Sequence, residues 1–165
     1  MQGYKLARHV RKQMKIGNNP LPSIDDVLKK LDVSLERDWS IPLFRAAACA
    51  KRGYQAHIIP SPSDSRMKLK TSRNFAVVSA LGRLIWETRN PDERTICVAQ
   101  GDYSIVSESR RANAFAAEFL LPTQVVSGLK SDSPDLLEVA DKYGISHEAA
   151  NWHALDIERL SRDGQ

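Results

Sequence analysis

"SESRRANAFAAEFLLP", residues 107–122, is the stretch on which the fold turns. Ala112, Phe115, Ala116, Phe119 and Leu120 recur at intervals of three and four. That spacing puts them on one face of a helix, and Pro122 stops it. So wide an apolar stripe needs a partner. "SRNFAVVSALGRLIWE", residues 72–87, supplies the matching pattern, with Phe75, Val78, Gly82, Ile85 and Trp86 on one face. Two helices packed along these stripes, over residues 74–87 and 109–121, are the predicted centre of the molecule.

The rest of the chain divides around this pair. Tyr4 to Ile16 reads as a helix with Leu6, Val10 and Met14 inward, followed by the breaker "GNNPLPS". Ser23 is placed to cap a short helix from Ile24 to Leu31, with Asp25 and Asp26 in its first turn. "DVSLERDWSIP" reads as irregular or partly extended, and "LFRAAACAKRGYQAHIIP" as a hairpin turning at Arg52-Gly53. Residues 61–72 read as a polar, mobile loop, and "NPDER" as a turn. "TICVAQ" and "YSIVS" form a second hairpin signal around Gly101-Asp102. Beyond Pro122, Ser133 caps a helix with Pro134 at its first position, Gly144 turns the chain and Ser146 caps a last helix, the local pattern of a helix-turn-helix.

These elements predict one α+β domain over 1–165: a basic N-terminal helix (1–19), a core (20–122) and a C-terminal helical pair (131–161). A hydrophobic fraction of 42% can fill a core, and 27% charged residues argue against wholesale disorder. No apolar run approaches twenty residues, and the basic start lacks the apolar stretch of a secretory signal, so a cytoplasmic location with no membrane partner is expected. The same compartment favours reduced, buried thiols at Cys49 and Cys97.

The net charge is +4, but the cations cluster. Lys5, Arg8, Arg11, Lys12 and Lys15 occupy the first sixteen residues with no acid, and Arg66, Lys68, Lys70 and Arg73 repeat the pattern in 66–73. Either group could meet phosphate or an acidic partner, or could be a solvated surface. The last helix offers His147, Asn151 and His153 but also Glu148, Asp156 and Glu158, which is acidic for a DNA-reading helix. Packing is the better reading for it.

"RRANAFAAEFLLP", residues 110–122, resembles the Ala-Asn-x-Phe-Ala-Ala-Glu-x-Leu-x-Pro signature of the ImmA/IrrE family of zinc metallopeptidases, with Ala112, Asn113, Phe115, Ala116, Ala117, Glu118, Leu120 and Pro122 matching. In that family the signature follows a helix bearing His-Glu-x-x-His. Arg73, Phe75, Leu81, Gly82 and Leu84 approximate that helix's frame, with Phe75 displaced by one residue. The resemblance implies a mainly helical zincin-like domain around a small antiparallel sheet, closed by the C-terminal helical pair. The departures fall on the chemistry. Ser79 and Arg83 stand in the histidine positions, Ala80 in that of the general-base glutamate, and Ser109, Arg110 and Arg111 where the third ligand is expected, with Glu108 at the edge of that window.

Zinc takes three protein donors and leaves a fourth position for water; histidines at i and i+4 share one helix face, and the neighbouring glutamate takes the water's proton. Serine is a poor ligand, alanine accepts no proton, and arginine offers no lone pair. A guanidinium about 4 Å from a unit charge of like sign costs on the order of 4 kcal/mol at an effective dielectric near 20. His9, His57, His147 and His153 are the whole histidine stock and read as surface or core residues, although a Cys49–Cys97–His57 site would form if the two hairpins brought them together. Ser79 lacks a nucleophile elbow and reads as a packing residue.

The expected function is therefore that of a catalytically inactive ImmA/IrrE-like pseudo-metallopeptidase, with no metal and no cofactor. It would bind a protein partner, such as a regulator encoded nearby, in a mobile-element, phage-defence or stress-response circuit. The alternatives are an active metallo-endopeptidase with a non-standard site, and a nucleic-acid-binding transcriptional regulator using Lys5, Arg8, Arg11, Lys12, Arg66, Lys68 and Lys70. Asn113 is expected to tie two segments together. Arg83 should reach Glu118 or Glu108 on the facing helix, or share an anion with Arg110 or Arg111.

Overall fold

The computed structural model describes residues 2–36, 47–52, 55–60, 68–87, 96–97 and 106–162. These residues form a mostly helical α+β domain. Its helices are α1 (Gln2–Gln13), α2 (Ile24–Lys30), α3 (Lys70–Glu87), α4 (Val106–Leu120), α5 (Thr123–Val126), α6 (Pro134–Tyr143) and α7 (His147–Arg162). Its strands are β1 (Val33–Leu35), β2 (Ala47–Arg52), β3 (Gln55–Pro60) and β4 (Ile96–Cys97).

The centre is the predicted helix pair, with a third member. α4 packs along α3 on one side and along α1 on the other. Both approaches depend on glycine. A Cβ at Gly82 would lie 2.6 Å from Phe115 Cδ1, and one at Gly3 would lie 2.3 Å from the Arg111 carbonyl oxygen. Phe115 and Phe119 stack at 5.3 Å in the space these glycines leave. The other face of α3 packs on β2 and β3. Covered on both sides, α3 buries Val77, Val78 and every residue from Ala80 to Leu84 rather than a single stripe.

The sheet order is β1-β3-β2-β4. The β2–β3 hairpin is antiparallel, as is β2 with β4, but β1 joins β3 in parallel. The sheet is thus mixed, not antiparallel throughout. A three-residue strand on the edge pairs wherever the chain delivers it, and nothing in "DVSLERD" encodes that direction.

Local capping follows the residues. Ser23 accepts from the Asp26 N–H, and Ser133 from the Leu136 N–H. Gly144 ends α6 in the left-handed region, φ +67°. The boundaries move in three places. α1 stops at Gln13, because Lys15 and Gly17 both take positive φ. α3 begins at Lys70, inside the expected loop 61–72, whose residues 61–67 lie outside the described set. Val106 and Ser107, read as the end of a strand, open α4; residues 98–105, with the Gly101-Asp102 turn, lie outside the described residues, as do Gly53 of the first hairpin turn and the turn at 90–94.

Candidate functional site

The positions that would hold a metal in the resembled family do meet across α3 and α4. Ser79 Oγ donates to Asn113 Oδ1 at 3.2 Å, tying the two helices at their exposed rim. One turn further along, Arg83 Nη2 donates to Ser109 Oγ at 2.9 Å. Ala80 is buried in the core instead of facing a cleft. Of the residues that resemble the motif frame, Leu81 is fully buried, Gly82 admits the Phe115 ring and Arg73 is exposed.

Arg83 is only 9% exposed, yet it does not reach Glu118. That expectation fails because the carboxylate faces another way. Glu118 is fully buried on the side of α4 turned to α1 and α7, where Arg8 Nε donates to Oε1 at 2.8 Å. Its other oxygen accepts from the Thr123 N–H at 3.1 Å and from the Thr123 hydroxyl. The signature acid therefore caps α5 after the Pro122 break, where the preceding residue has no side chain able to do so. The side chain of Glu108 lies outside the described residues.

Next to Glu118 sits a buried aromatic pair. Tyr4 stacks on His153 at 5.6 Å and donates to Asp156 Oδ2 at 3.0 Å. His153 Nε2 donates to the Leu121 carbonyl at 2.9 Å, so the neutral ring turns its Nδ1 lone pair toward the Tyr4 hydroxyl, 3.4 Å away. Burial pushes the Tyr4 phenol up, with Asp156 adding to it, and holds the His153 imidazole below its ordinary value. Glu118, His153 and Tyr4 bring α1, α4, α5 and α7 to one point. Enclosed and mutually satisfied, they do structural work.

The basic N-terminal helix is correspondingly less free than its composition suggests. Arg11 is a core residue, donating to the carbonyls of Gly17 at 2.9 Å, Asn19 at 2.5 Å and Phe119, and it cannot serve as a surface contact. Burial lowers its pKa from the ordinary guanidinium value. Arg8 is half exposed but committed to Glu118 and Thr123. Lys5, Lys12, Lys68 and Lys70 are exposed; Arg66 lies outside the described residues.

Two other groupings remain. Cys49 pairs in register with Cys97 and Ile58, whereas His57 pairs with Ala50 and Ser34 in the adjacent row. The side chains of Cys49 and Cys97 lie outside the described residues, and so does the expected Cys49–Cys97–His57 site. His57 holds Glu36 at 2.7 Å. Among the described residues no group of three His, Cys, Asp or Glu side chains could hold a metal ion. On the last helix, Asn151 is bound to Asp132, His147 to Asp141 at 2.9 Å, and His153 is buried. No helix among the described residues is long and apolar enough to cross a membrane.

What sequence reading missed is a small cleft at the junction of α1, α3 and α4. It is lined by Gly3, Leu6, Gly82, Arg83, Trp86, Arg111, Ala112 and Phe115. The Arg111 guanidinium lies 4.9 Å over the Trp86 ring, and its Nε is buried with no hydrogen-bond partner among the described residues. Arg110, its neighbour in sequence, is exposed. The adjacent arginines in "SRRAN" were a signal that one of them must turn inward on a helix whose opposite face is core. No protein-family model matches the chain, and no curated protein matches it.

Proposed function

We propose that this chain is a pseudoenzyme built on a zincin-like, ImmA/IrrE-like scaffold, and that it acts as a protein-binding regulatory module in the cytoplasm. The observation carrying this reading is the Arg83–Ser109 hydrogen bond at 2.9 Å. It joins two positions that, in the resembled family, would both send ligands to one zinc ion. The reading is supported by the burial of Leu81, Phe115 and Glu118 and the packing of Gly82 on Phe115, while Ser79, Ala80, Arg83 and Ser109 stand where the resembled family would place its metal donors and general base. A fold kept without its chemistry is suited to recognition, and the partner expected is a regulator protein; that step rests on analogy with the family.

Reconstruction tests it. The quadruple variant Ser79→His, Ala80→Glu, Arg83→His, Ser109→Glu should bind about one zinc per chain in elemental analysis after dialysis, as a site with three donors and one open position does. The native chain should bind none and cleave no peptide bond in a candidate regulator. A folded quadruple variant without zinc would refute the scaffold reading. Stoichiometric zinc on the native chain would refute the pseudoenzyme reading.

A further inference from the structure

Among the described residues, the last helix leaves one apolar face open. α7 buries Ala150, His153 and Ala154 and packs Ile157 against the core. With 3.6 residues to a turn, the stripe on the opposite side is Glu148, Trp152, Leu155 and Arg159. All four are exposed, Trp152 by 66% and Leu155 by 41%. A lone exposed leucine needs no explanation. A tryptophan beside it on the same face does, because tryptophan is among the residues most enriched at the centres of binding surfaces.

The order along the stripe says what fits it. It reads acid, tryptophan, leucine, base, at i, i+4, i+7 and i+11, and that order is self-complementary. A second copy of the helix, turned end for end about a two-fold axis between residues 153 and 154, sets Trp152 of each copy against Leu155 of the other. The same operation sets Glu148 of each copy against Arg159 of the other. A parallel arrangement would oppose Glu148 to Glu148 and Arg159 to Arg159, like charge on like. Neighbouring polar groups are engaged within the chain: Asn151 bonds Asp132, Asp156 accepts from Tyr4, and Glu158 lies 3.9 Å from Arg162.

We propose that α7 is the contact face of an antiparallel homodimer, with Trp152 and Leu155 at its centre and a Glu148–Arg159 pair at each end. The proposal does not rest on the pseudoenzyme reading. A helix of 16 residues is about 24 Å long, and helices crossing at about 20° keep such a stripe in contact along its length. One helix face lies on the transient side of the roughly 1,000 Å² that marks a stable interface, so the dimer forms reversibly, with a Kd between about 1 µM and 1 mM.

Sedimentation equilibrium tests it. Between about 5 µM and about 1 mM native chain, the mass should rise from 18.5 kDa toward twice that value. Trp152→Glu should abolish the rise, because it sets an acid into the apolar centre of the contact. Glu148→Arg and Arg159→Glu should each weaken association by roughly tenfold, since the two-fold axis makes each change count at two contacts. Mixed in equal amounts, these two variants should associate as tightly as the native chain, because each then meets its complement. All three positions are exposed, so the circular dichroism of each variant at low concentration should be native. A native chain that keeps its monomer mass up to about 1 mM gives the face to another occupant, a different protein or another segment of this chain, and overturns the dimer. Undiminished association of Trp152→Glu overturns the face. A mixture no tighter than either charge variant alone overturns the antiparallel order. The native concentration series decides the matter even if a variant fails to fold.

Discussion

Glu118→Ala should be among the most damaging single substitutions in the chain. The side chain is fully buried, and its two oxygens serve three donors on two other segments: Arg8 Nε at 2.8 Å, the Thr123 N–H at 3.1 Å and the Thr123 hydroxyl. Alanine strands both Thr123 donors at a helix start that Pro122 cannot cap. Hydrogen bonds to a charged group contribute about 1.5–3 kcal/mol each. The Arg8 arm is worth less, under about 1 kcal/mol, because its side chain is 48% exposed and returns to water. The loss should total roughly 3–5 kcal/mol, in line with breaking a buried charged contact. For a domain of this length that is a fall in melting temperature of about 6–20 °C, from 2–4 °C per kcal/mol. Urea denaturation followed by circular dichroism measures it, with Arg8→Met and Thr123→Val as companions. The double mutant of Glu118 with Thr123 should show the larger coupling. A loss under about 1 kcal/mol for Glu118→Ala, or an Arg8→Met cost equal to it, would refute the assignment of Glu118 as the cap of α5.

Three further outcomes are expected. Gly82→Ala should destabilise by about 1–3 kcal/mol in thermal melts, despite a gain near 1 kcal/mol in helix propensity, because the new Cβ meets Phe115 at 2.6 Å; Gly3→Ala should be worse, since its obstacle is the Arg111 backbone at 2.3 Å. Arg83→Met should be neutral or stabilising by about 1–2 kcal/mol if the Ser109 hydroxyl is the partner it gives up, since no acid whose side chain is described is left unpaired, and a loss above about 3 kcal/mol would disclose an acid partner. His153, facing Tyr4 and Arg8 of α1, Glu118 of α4 and Asp156 of its own helix, is held below the ordinary imidazole value, chiefly by burial. The unfolded chain then takes up the proton first, so stability should fall as pH drops below about 6.5, by at most about 1.4 kcal/mol per pH unit, and His153→Gln should flatten that slope.

The residues by themselves determined the helices and their ends. Period and caps are local properties: the stripe Ala112 to Leu120, the Ser23 and Ser133 caps and the left-handed Gly144 depend on contacts within a few residues, and each stands where the chain pattern puts it. Locality also explains the errors. Lys15 ends α1 early by a backbone conformation that its side chain does not announce. The parallel entry of β1 depends on where a distant hairpin lies. The site was half legible: positions 79 and 83 meet 113 and 109 because helical spacing fixes which residues share a face. Which acid serves which cation was not legible. Arg8, Arg11, Arg83 and Arg111 look alike in the chain, and only the packing of α1 and α7 on α4 separates them. It sends Glu118 to Arg8, sets Arg11 among carbonyls, and leaves Arg83 and Arg111 facing one cleft. Charge is a property of the residue, but its neutralisation depends on partners up to a hundred or more residues away, so tertiary structure alone could decide it.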